Sequence, residues 1–484
     1  MSIRKALAYA FTTRYFALAI QFAATIILAR LLTPAEIGIY SVGAAIIMIA
    51  QTLRDFGTST YIIQERELSR ERLATAFTVT VIVAWSIAAG LWVIAEPAAR
   101  FYAEPGVHDV LQVMALNFLL LPFGSISAAM LRRDMNFQAI MYIGIASTLA
   151  HSGSSVLFAW LGWGFISLAW GAVCGSVVSV LGAMIANPRN FIFKPTLRER
   201  QRVLSFSLRS SVSSIAAEAG HAAPDVVLGK TLGMEATGLF SRAMGYVQLF
   251  ERLLQDVLRS VMLPYLAEAE RSGADVSKRI RIALENIVSV SLLMVALTGI
   301  LAEPLVLLLF GEQWREAILL AQILCIAMAI RCTGPTLSAA LVAGGHIRLI
   351  MHASLTTACL KFILLAAFSI HGLLAAAIGF VVAEILNIMI LIFICNRSGY
   401  FSWRSFLSIF SKSTLITGIS VGPALMLSTM PLNTNSFMEL TSRVMVAGTL
   451  SLTVWIAVIW ITKYPPYPEI SRIIGNVLSR FKKN

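Results

Sequence analysis

Residues 27–40, ILARLLTPAEIGIY, and residues 227–240, VLGKTLGMEATGLF, align without a gap at a shift of 200 positions. Arg30 meets Lys230, Leu32 meets Leu232, Gly38 meets Gly238 and Tyr40 meets Phe240. The correspondence continues in the same order downstream. Ala95-Glu96-Pro97 matches Ala302-Glu303-Pro304 at a shift of 207. At a shift of 210, Gln112 meets Gln322, Gly124 meets Gly334 and Ile140-Met141 meets Ile350-Met351. Ordered matches with slowly growing shifts indicate an internal duplication.

The duplication lies in a chain too apolar for a water-facing surface. Of 484 residues, 58% are hydrophobic and 13% charged, about half the charge of an average soluble chain. Mean hydropathy is +0.79. The pattern predicts an all-α polytopic membrane protein. A span needs about 20 mostly apolar residues. Fourteen such segments begin near residues 7, 36, 73, 108, 138, 165, 204, 236, 281, 316, 351, 372, 412 and 440. The apolar run after Arg4 and Lys5 continues to Leu32 without a small-residue cleavage site, so an uncleaved first span is expected.

The basic residues punctuate the spans. Loops on the N-terminal side hold 25 Lys and Arg, and the opposite side holds four: Arg30, Arg100, Lys230 and Arg315. That bias places both termini in the cytoplasm. It also accounts for the net charge of +13 without a basic domain, so no nucleic-acid partner is expected. Six spans separate the two copies, an even number, so the copies share one orientation. Parallel repeats of this kind are typical of secondary transporters. The expected organisation is a six-helix lobe over 1–203, a second over 204–396, two further spans over 397–463 and a basic amphipathic tail over 464–484. The two lobes are expected to enclose a central cavity. In the tail, Ile470, Ile473, Ile474, Val477, Leu478 and Phe481 share one helical face, suited to the inner leaflet or to a frayed basic end. Pro122, Pro224, Pro335 and Pro423 fall inside spans and are expected to break or kink them.

Charges inside spans point to function because each costs roughly 2.5–3.5 kcal/mol at a helix centre unless it faces protein or water. Nine bases lie there: Arg14, Arg54, Arg209, Arg242, Arg252, Arg259, Arg331, Lys361 and Arg443. The acids near them are Asp55, Glu218, Asp225, Glu251, Asp256 and Glu384. Arg252 has Asp256 four residues on, so local pairing competes with a cavity role. Arg14, Arg331 and Lys361 have no sequence-local acid and are read as cavity bases. A basic cavity suits an anion, since guanidinium groups grip phosphate bidentately. Glu218, His221 and Asp225, at i, i+3 and i+7 around Pro224, share a helix face. They are candidates for coupling to H⁺ or Na⁺, or for pairing with neighbouring bases. His151 reads as a core histidine.

Other chemistry is not signalled. Cys174, Cys325, Cys332, Cys359 and Cys395 lie in apolar segments without metal-ligand spacing. Gly229-Lys230-Thr231 imitates the end of a phosphate-binding loop, but Pro224 stands where its first glycine is required. No cofactor and no enzymatic centre are expected.

The chain resembles the polysaccharide transporter, or Wzx-type flippase, family of the MOP superfamily. The resemblance is carried by ARLLTPAEIGIYSVG at 29–43, RDFGTSTYIIQ at 54–64, LGKTLGMEATGLFSRA at 228–243, LFGEQWREAILLAQILCIAMAIR at 309–331 and Leu263-Pro264. It is nearest to the branch of exopolysaccharide and colanic-acid-type exporters. The resemblance implies a flippase of the bacterial inner membrane, and a monomer is expected because each chain holds its own cavity. Such a protein moves an undecaprenyl-diphosphate-linked oligosaccharide to the outer leaflet by alternating access of two lobes, working among membrane lipids with polymerase and export machinery as partners. It also implies a diphosphate-binding role for Arg14, Arg331, Lys361 and Arg252. The rival readings are a multidrug or toxin exporter of the same superfamily, which would use buried carboxylates for cations, and a membrane polymerase or ligase, which would need a long outer loop. An envelope scaffold would leave the repeat and the buried charges unexplained.

Overall fold

The computed structural model describes the backbone of residues 3–54, 62–63, 65, 69–188, 196, 200–273, 275–430 and 437–467, with side chains except at 3–8, 10, 200–214 and 250–261. All regular structure among the described residues is helical. The first helices are α1 (Ile3–Leu31), α2 (Pro34–Arg54), α3 (Arg70–Tyr102), α4 (Pro105–Arg133), α5 (Phe137–Trp160), α6 (Ile166–Ala186), α7 (Arg200–Thr231) and α8 (Gly233–Ser272). They are followed by α9 (Val276–Ile300), α10 (Ala302–Phe310), α11 (Ala317–Arg331), α12 (Gly334–Ala343), α13 (Ile347–Ser369), α14 (Leu373–Arg397), α15 (Trp403–Ser420), α16 (Gly422–Ser428) and α17 (Phe437–Thr462). Residues 468–484, which carry the amphipathic pattern of the tail, lie outside the described residues.

Local chemistry sets the helix ends. Thr33 and Glu36 form a reciprocal capping box on α2: the Thr33 N–H donates to Glu36 Oε2 at 2.8 Å, and the Glu36 N–H donates to Thr33 Oγ1 at 3.3 Å. Ser69, Asn136, Asp275 and Ser402 accept first-turn N–H groups of α3, α5, α9 and α15. Of the four prolines expected to disturb spans, Pro122 and Pro224 sit inside α4 and α7. Pro335 and Pro423 instead open α12 and α16. Proline lacks the N–H a helix interior needs, and the first turn needs none.

Among the described residues, eleven helical segments, with α11 and α12 taken as one, are long and apolar enough to cross a bilayer, and the pair α15–α16, bent by 50°, makes twelve. Each of the fourteen expected starts falls on a helix or, at 165, 316 and 372, on the residue just before one. The difference is α7 and α8, which have 32 and 40 residues but too many polar positions for that apolarity. Acids and bases such as Glu218, Asp225, Arg242 and Asp256 interrupt them.

The chain forms two compact units, Met1–Ser241 and Arg242–Asn484. In the first, α3 packs on α4, α4 on α6, α6 on α5 and α5 on α1, while α2 packs on α7 and α4. Its core joins Ile39, Val42, Ile47, Leu91, Val110, Leu111 and Phe118. In the second, α14 packs on α13, α11 and α12; α9 lies against α11 and α15, and α17 closes on α15, α16 and α10. Leu284, Leu337, Ile388, Leu391 and Ile392 anchor its core.

The first unit runs past residue 203 because the two repeat copies meet in it. A Cβ on Gly38 would overlap the carbonyl oxygen of Met234, and one on Gly238 would overlap that of Pro34. One turn on, the Ser41 hydroxyl donates to Ser241 Oγ at 2.9 Å. The 200-residue shift exchanges the Gly38–Met234 and Pro34–Gly238 contacts and joins Ser41 to its own equivalent, so the crossing is self-complementary like an isologous interface. Only glycine permits so close an approach at either position. Gly38→Ala therefore loses on the order of 1–3 kcal/mol to overpacking and lowers the melting temperature in detergent. Gly90→Ala, whose added Cβ meets no atom within 4 Å, leaves it unchanged or raises it. Thermal unfolding followed by intrinsic fluorescence separates the two.

Candidate functional site

α14 is almost wholly apolar between its ends, and Glu384 is its one acid. Glu384 stands near the middle of this 25-residue helix and is fully buried. A carboxylate there needs a counter-charge, because desolvation of an unpaired ion costs several kcal/mol. Two neighbouring helices supply bases. Lys361 of α13, itself 5% exposed, brings Nζ to 2.7 Å from Glu384 Oε1. Arg331, the last residue of α11, brings Nη1 to 3.6 Å from the same oxygen.

The other carboxylate oxygen belongs to a neutral relay. Asn387, one turn along α14, donates from Nδ2 to Glu384 Oε2 at 3.3 Å. Its Oδ1 accepts from the Thr357 hydroxyl at 3.0 Å. Thr357 and Lys361 are four apart on α13, and Glu384 and Asn387 three apart on α14, so each pair shares one helix face. The Phe380 ring, one turn before Glu384, lies 5.4 Å from the Lys361 ammonium and adds a cation–π contact.

Two positive groups and one negative group make a cluster with one surplus positive charge deep in the second unit. Arg331 and Lys361, predicted as cavity bases from the lack of a sequence-local acid, are brought together. They share an acid that lies 53 and 23 residues further along the chain. Sequence reasoning left Glu384 unassigned and missed Thr357 and Asn387. The available signal was the solitary acid at the centre of the span whose mean hydropathy is 2.6.

The other predicted residues lie elsewhere. Arg14 is exposed on α1 in the first unit and is not part of this cluster. The Arg252 side chain lies outside the described residues. Glu218, His221 and Asp225 are on α7 of the first unit, with His221 exposed and the two acids half-buried. Beside them the Tyr102 hydroxyl donates to the Val226 carbonyl at 3.3 Å. Arg242 has an aromatic setting: its guanidinium carbon is 5.1 Å from the Phe310 ring centre and 5.0 Å from that of Trp314. His151 is exposed on α5. Among the described residues, no three His, Cys, Asp or Glu side chains come together as a metal site.

A second feature of the Arg242–Asn484 unit is an apolar groove of about 680 Å³ bounded by α9, α11 and α15–α16. Leu292, Ala296, Ile326, Val421 and Leu425 line it, with Glu303, Gln322, Thr414, Thr417 and Ser428 as polar points.

The sequence profile of the family described as polysaccharide biosynthesis protein matches residues 27–319. The chain is 29% identical over 307 residues to the succinoglycan biosynthesis transport protein ExoT of Rhizobium meliloti (strain 1021), covering 62% of this chain and 60% of that protein. It is 24% identical over 382 residues to the lipopolysaccharide biosynthesis protein WzxC of Escherichia coli (strain K12), covering 76% and 75%. Among solved structures, lipid II flippase MurJ in an inward closed conformation superposes with a TM-score of 0.76 at 11% identity, covering 94% of this chain and 98% of that one. An inward-facing multidrug resistance MATE family transporter of the MOP superfamily gives 0.63 at 15% identity, covering 86% and 96%. These two likenesses establish the fold.

The cluster makes a stability prediction. Lys361→Ala removes the closer counter-charge from a buried carboxylate and costs about 3–5 kcal/mol, as for one partner of a buried pair. Lys361→Arg keeps the charge and costs less. Thermal unfolding of the purified proteins ranks them wild type, Lys361→Arg, then Lys361→Ala.

Proposed function

The chain belongs to the polysaccharide biosynthesis protein family, and from that premise we propose that it is a flippase. Its cargo in this reading is an undecaprenyl-diphosphate-linked oligosaccharide, moved from the cytoplasmic to the outer leaflet of the bacterial inner membrane by alternating access. The observation that carries the reading is the surplus positive charge of the Arg331–Lys361–Glu384 cluster, buried halfway along α14. Positive charge at that depth has a use if an anionic group must pass through the bilayer core, and a diphosphate is such a group. The apolar groove of the same unit gives the polyprenyl chain a surface of matching chemistry.

The names of the relatives support the substrate class, since ExoT is a succinoglycan biosynthesis transport protein and WzxC a lipopolysaccharide biosynthesis protein. The name of ExoT, a transport protein, supports transport rather than catalysis. A cationic-drug exporter is disfavoured because Glu384, the acid at the centre of α14, already faces two bases.

Arg14 and Arg252 join the reading as additional diphosphate contacts, and Glu218, His221 and Asp225 as the H⁺- or Na⁺-coupling group. The 25-to-4 distribution of basic loop residues supports cytoplasmic termini. A monomer working beside a polymerase and export machinery completes the proposal.

The test is leaflet translocation of a labelled undecaprenyl-diphosphate oligosaccharide in proteoliposomes. Wild type accelerates appearance of the label in the opposite leaflet at least tenfold over empty liposomes, and Arg331→Ala removes most of that acceleration. No acceleration by wild type, together with efflux of a cationic dye, overturns the proposal.

A further inference from the structure

Arg242 stands outside the Arg331–Lys361–Glu384 cluster, and its surroundings differ in kind. It lies nine residues after Gly233, about 14 Å along α8 from the end next to Lys230. Its guanidinium carbon is 5.1 Å from the Phe310 ring centre and 5.0 Å from that of Trp314, and both rings are fully buried. Tyr246, one turn on along α8, donates its hydroxyl to the Thr298 carbonyl at 2.7 Å. It also meets Phe310 edge-on, with ring centres 6.4 Å apart. The rings are thus fixed, and they fix the guanidinium.

An aromatic face attracts positive charge, but it gives the five guanidinium N–H groups no oxygen to donate to. Among the described residues Arg242 makes no hydrogen bond and no ion pair. Its Nε is sealed from solvent without a partner, whereas the two Nη groups are not sealed. No acid lies within six residues of Arg242 on either side. Glu303 and Glu312, the acids nearest the two rings along the chain, face Arg315 at 3.8 and 2.9 Å. Gly245, three residues on and so beside Arg242 on the helix surface, is exposed, and a Cβ there would meet no atom within 4 Å. The guanidinium is therefore rigid, short of acceptors and approachable at its Nη end.

We infer that Arg242 binds a phosphoryl group end-on, with its two Nη groups donating to two oxygens. Such a group brings the counter-charge and the acceptors that the rings do not. On the flippase reading above, from which the cargo is taken, Arg242 is a second station for the diphosphate. Arg331 lies fourteen residues, about 21 Å, along α11 from Ala317, so it is deeper from the same side than Arg242. In the orientation proposed above that side is the outer one. Arg242 then receives the diphosphate after the cluster and before release.

Wild type, Arg242→Met, Arg242→Gln and Arg242→Lys of the full chain are compared by thermal unfolding in phosphatidylcholine nanodiscs. The probe is inorganic pyrophosphate, small enough to occupy two sites at once, against chloride of equal ionic strength. Methionine fills a similar space and makes favourable sulfur contacts with the rings. Without pyrophosphate, Arg242→Met melts at or above the wild-type temperature, because it removes an unpaired buried cation. Pyrophosphate raises the melting temperature of wild type, and it raises those of Arg242→Met and Arg242→Gln by at least one third less. In proteoliposomes Arg242→Met lowers the maximal rate of flipping of undecaprenyl-diphosphate oligosaccharide at least fivefold. It changes the half-saturating mole fraction less than twofold, because loading precedes this station. Arg242→Lys, charged but without the fork, recovers part of both the pyrophosphate response and the rate.

Arg242→Met and Arg242→Gln proteins that melt below wild type and keep its full pyrophosphate response show a purely structural brace and overturn the inference. Failure of both to fold overturns it as well. If phosphatidylglycerol in the nanodisc stabilises wild type over Arg242→Met while flipping is unchanged, the site belongs to a phospholipid and the cargo assignment falls. Wild type that answers pyrophosphate through Arg242 but flips no lipid contradicts the flippase proposal and leaves the phosphoryl site standing.

Discussion

A carboxylate at the centre of an apolar membrane helix cannot stand alone, and Glu384 is such a carboxylate. Its burial dictates what surrounds it. Two bases come from two other helices, the Asn387 amide donates to its other oxygen and is held in turn by the Thr357 hydroxyl, and α11, α13 and α14 must hold their mutual register for all of this to meet. A helix of Leu, Ile, Val and Ala slides against its neighbours at little cost, since lipid is as apolar as they are. One buried ion cluster removes that freedom. The same cluster carries an excess positive charge, so the constraint that sets the packing also defines the electrostatics of the interior.

The second organising contact has the opposite character. Gly38 and Gly238 contain no functional group, and their contribution is absence of side chain. Each lets the backbone of the other repeat copy approach to a distance that any Cβ would forbid. The repeat visible in the sequence thus becomes a physical contact, with residues 34, 38 and 41 facing 238, 234 and 241 in turn. An approach of this kind between small residues is a familiar means of joining membrane helices. Here the capping box of Thr33 and Glu36 fixes the start of α2 beside it.

Much of this was legible in the sequence. Apolar run lengths located a helix at, or one residue beyond, each of the fourteen expected starts. The shift of 200 that aligned Gly38 with Gly238 matches the pairs that touch. Arg331 and Lys361 were legible as residues of interest because an intramembrane base without a local acid calls for an explanation. Their partner was not. Glu384 lies 23 residues from one and 53 from the other, and only the packing of α14 between α11 and α13 closes those separations. Pro335 and Pro423 show a similar limit. Composition marks them as helix breakers, but whether a proline kinks a helix or begins one depends on where the preceding turn ends.

The proposed selection of a diphosphate lipid rests on the surplus positive charge in the second unit. Competition binding to the purified wild-type protein tests this most directly. The bound probe is a labelled undecaprenyl-diphosphate oligosaccharide, and the competitors are unlabelled diphosphate lipid, the same glycan on a neutral polyprenol and a cationic amphiphile of equal chain length. The account predicts that the diphosphate lipid displaces the probe at least tenfold more effectively than the neutral lipid, with the cationic amphiphile weaker still. Equal displacement by the neutral lipid, or stronger displacement by the cation, would contradict it.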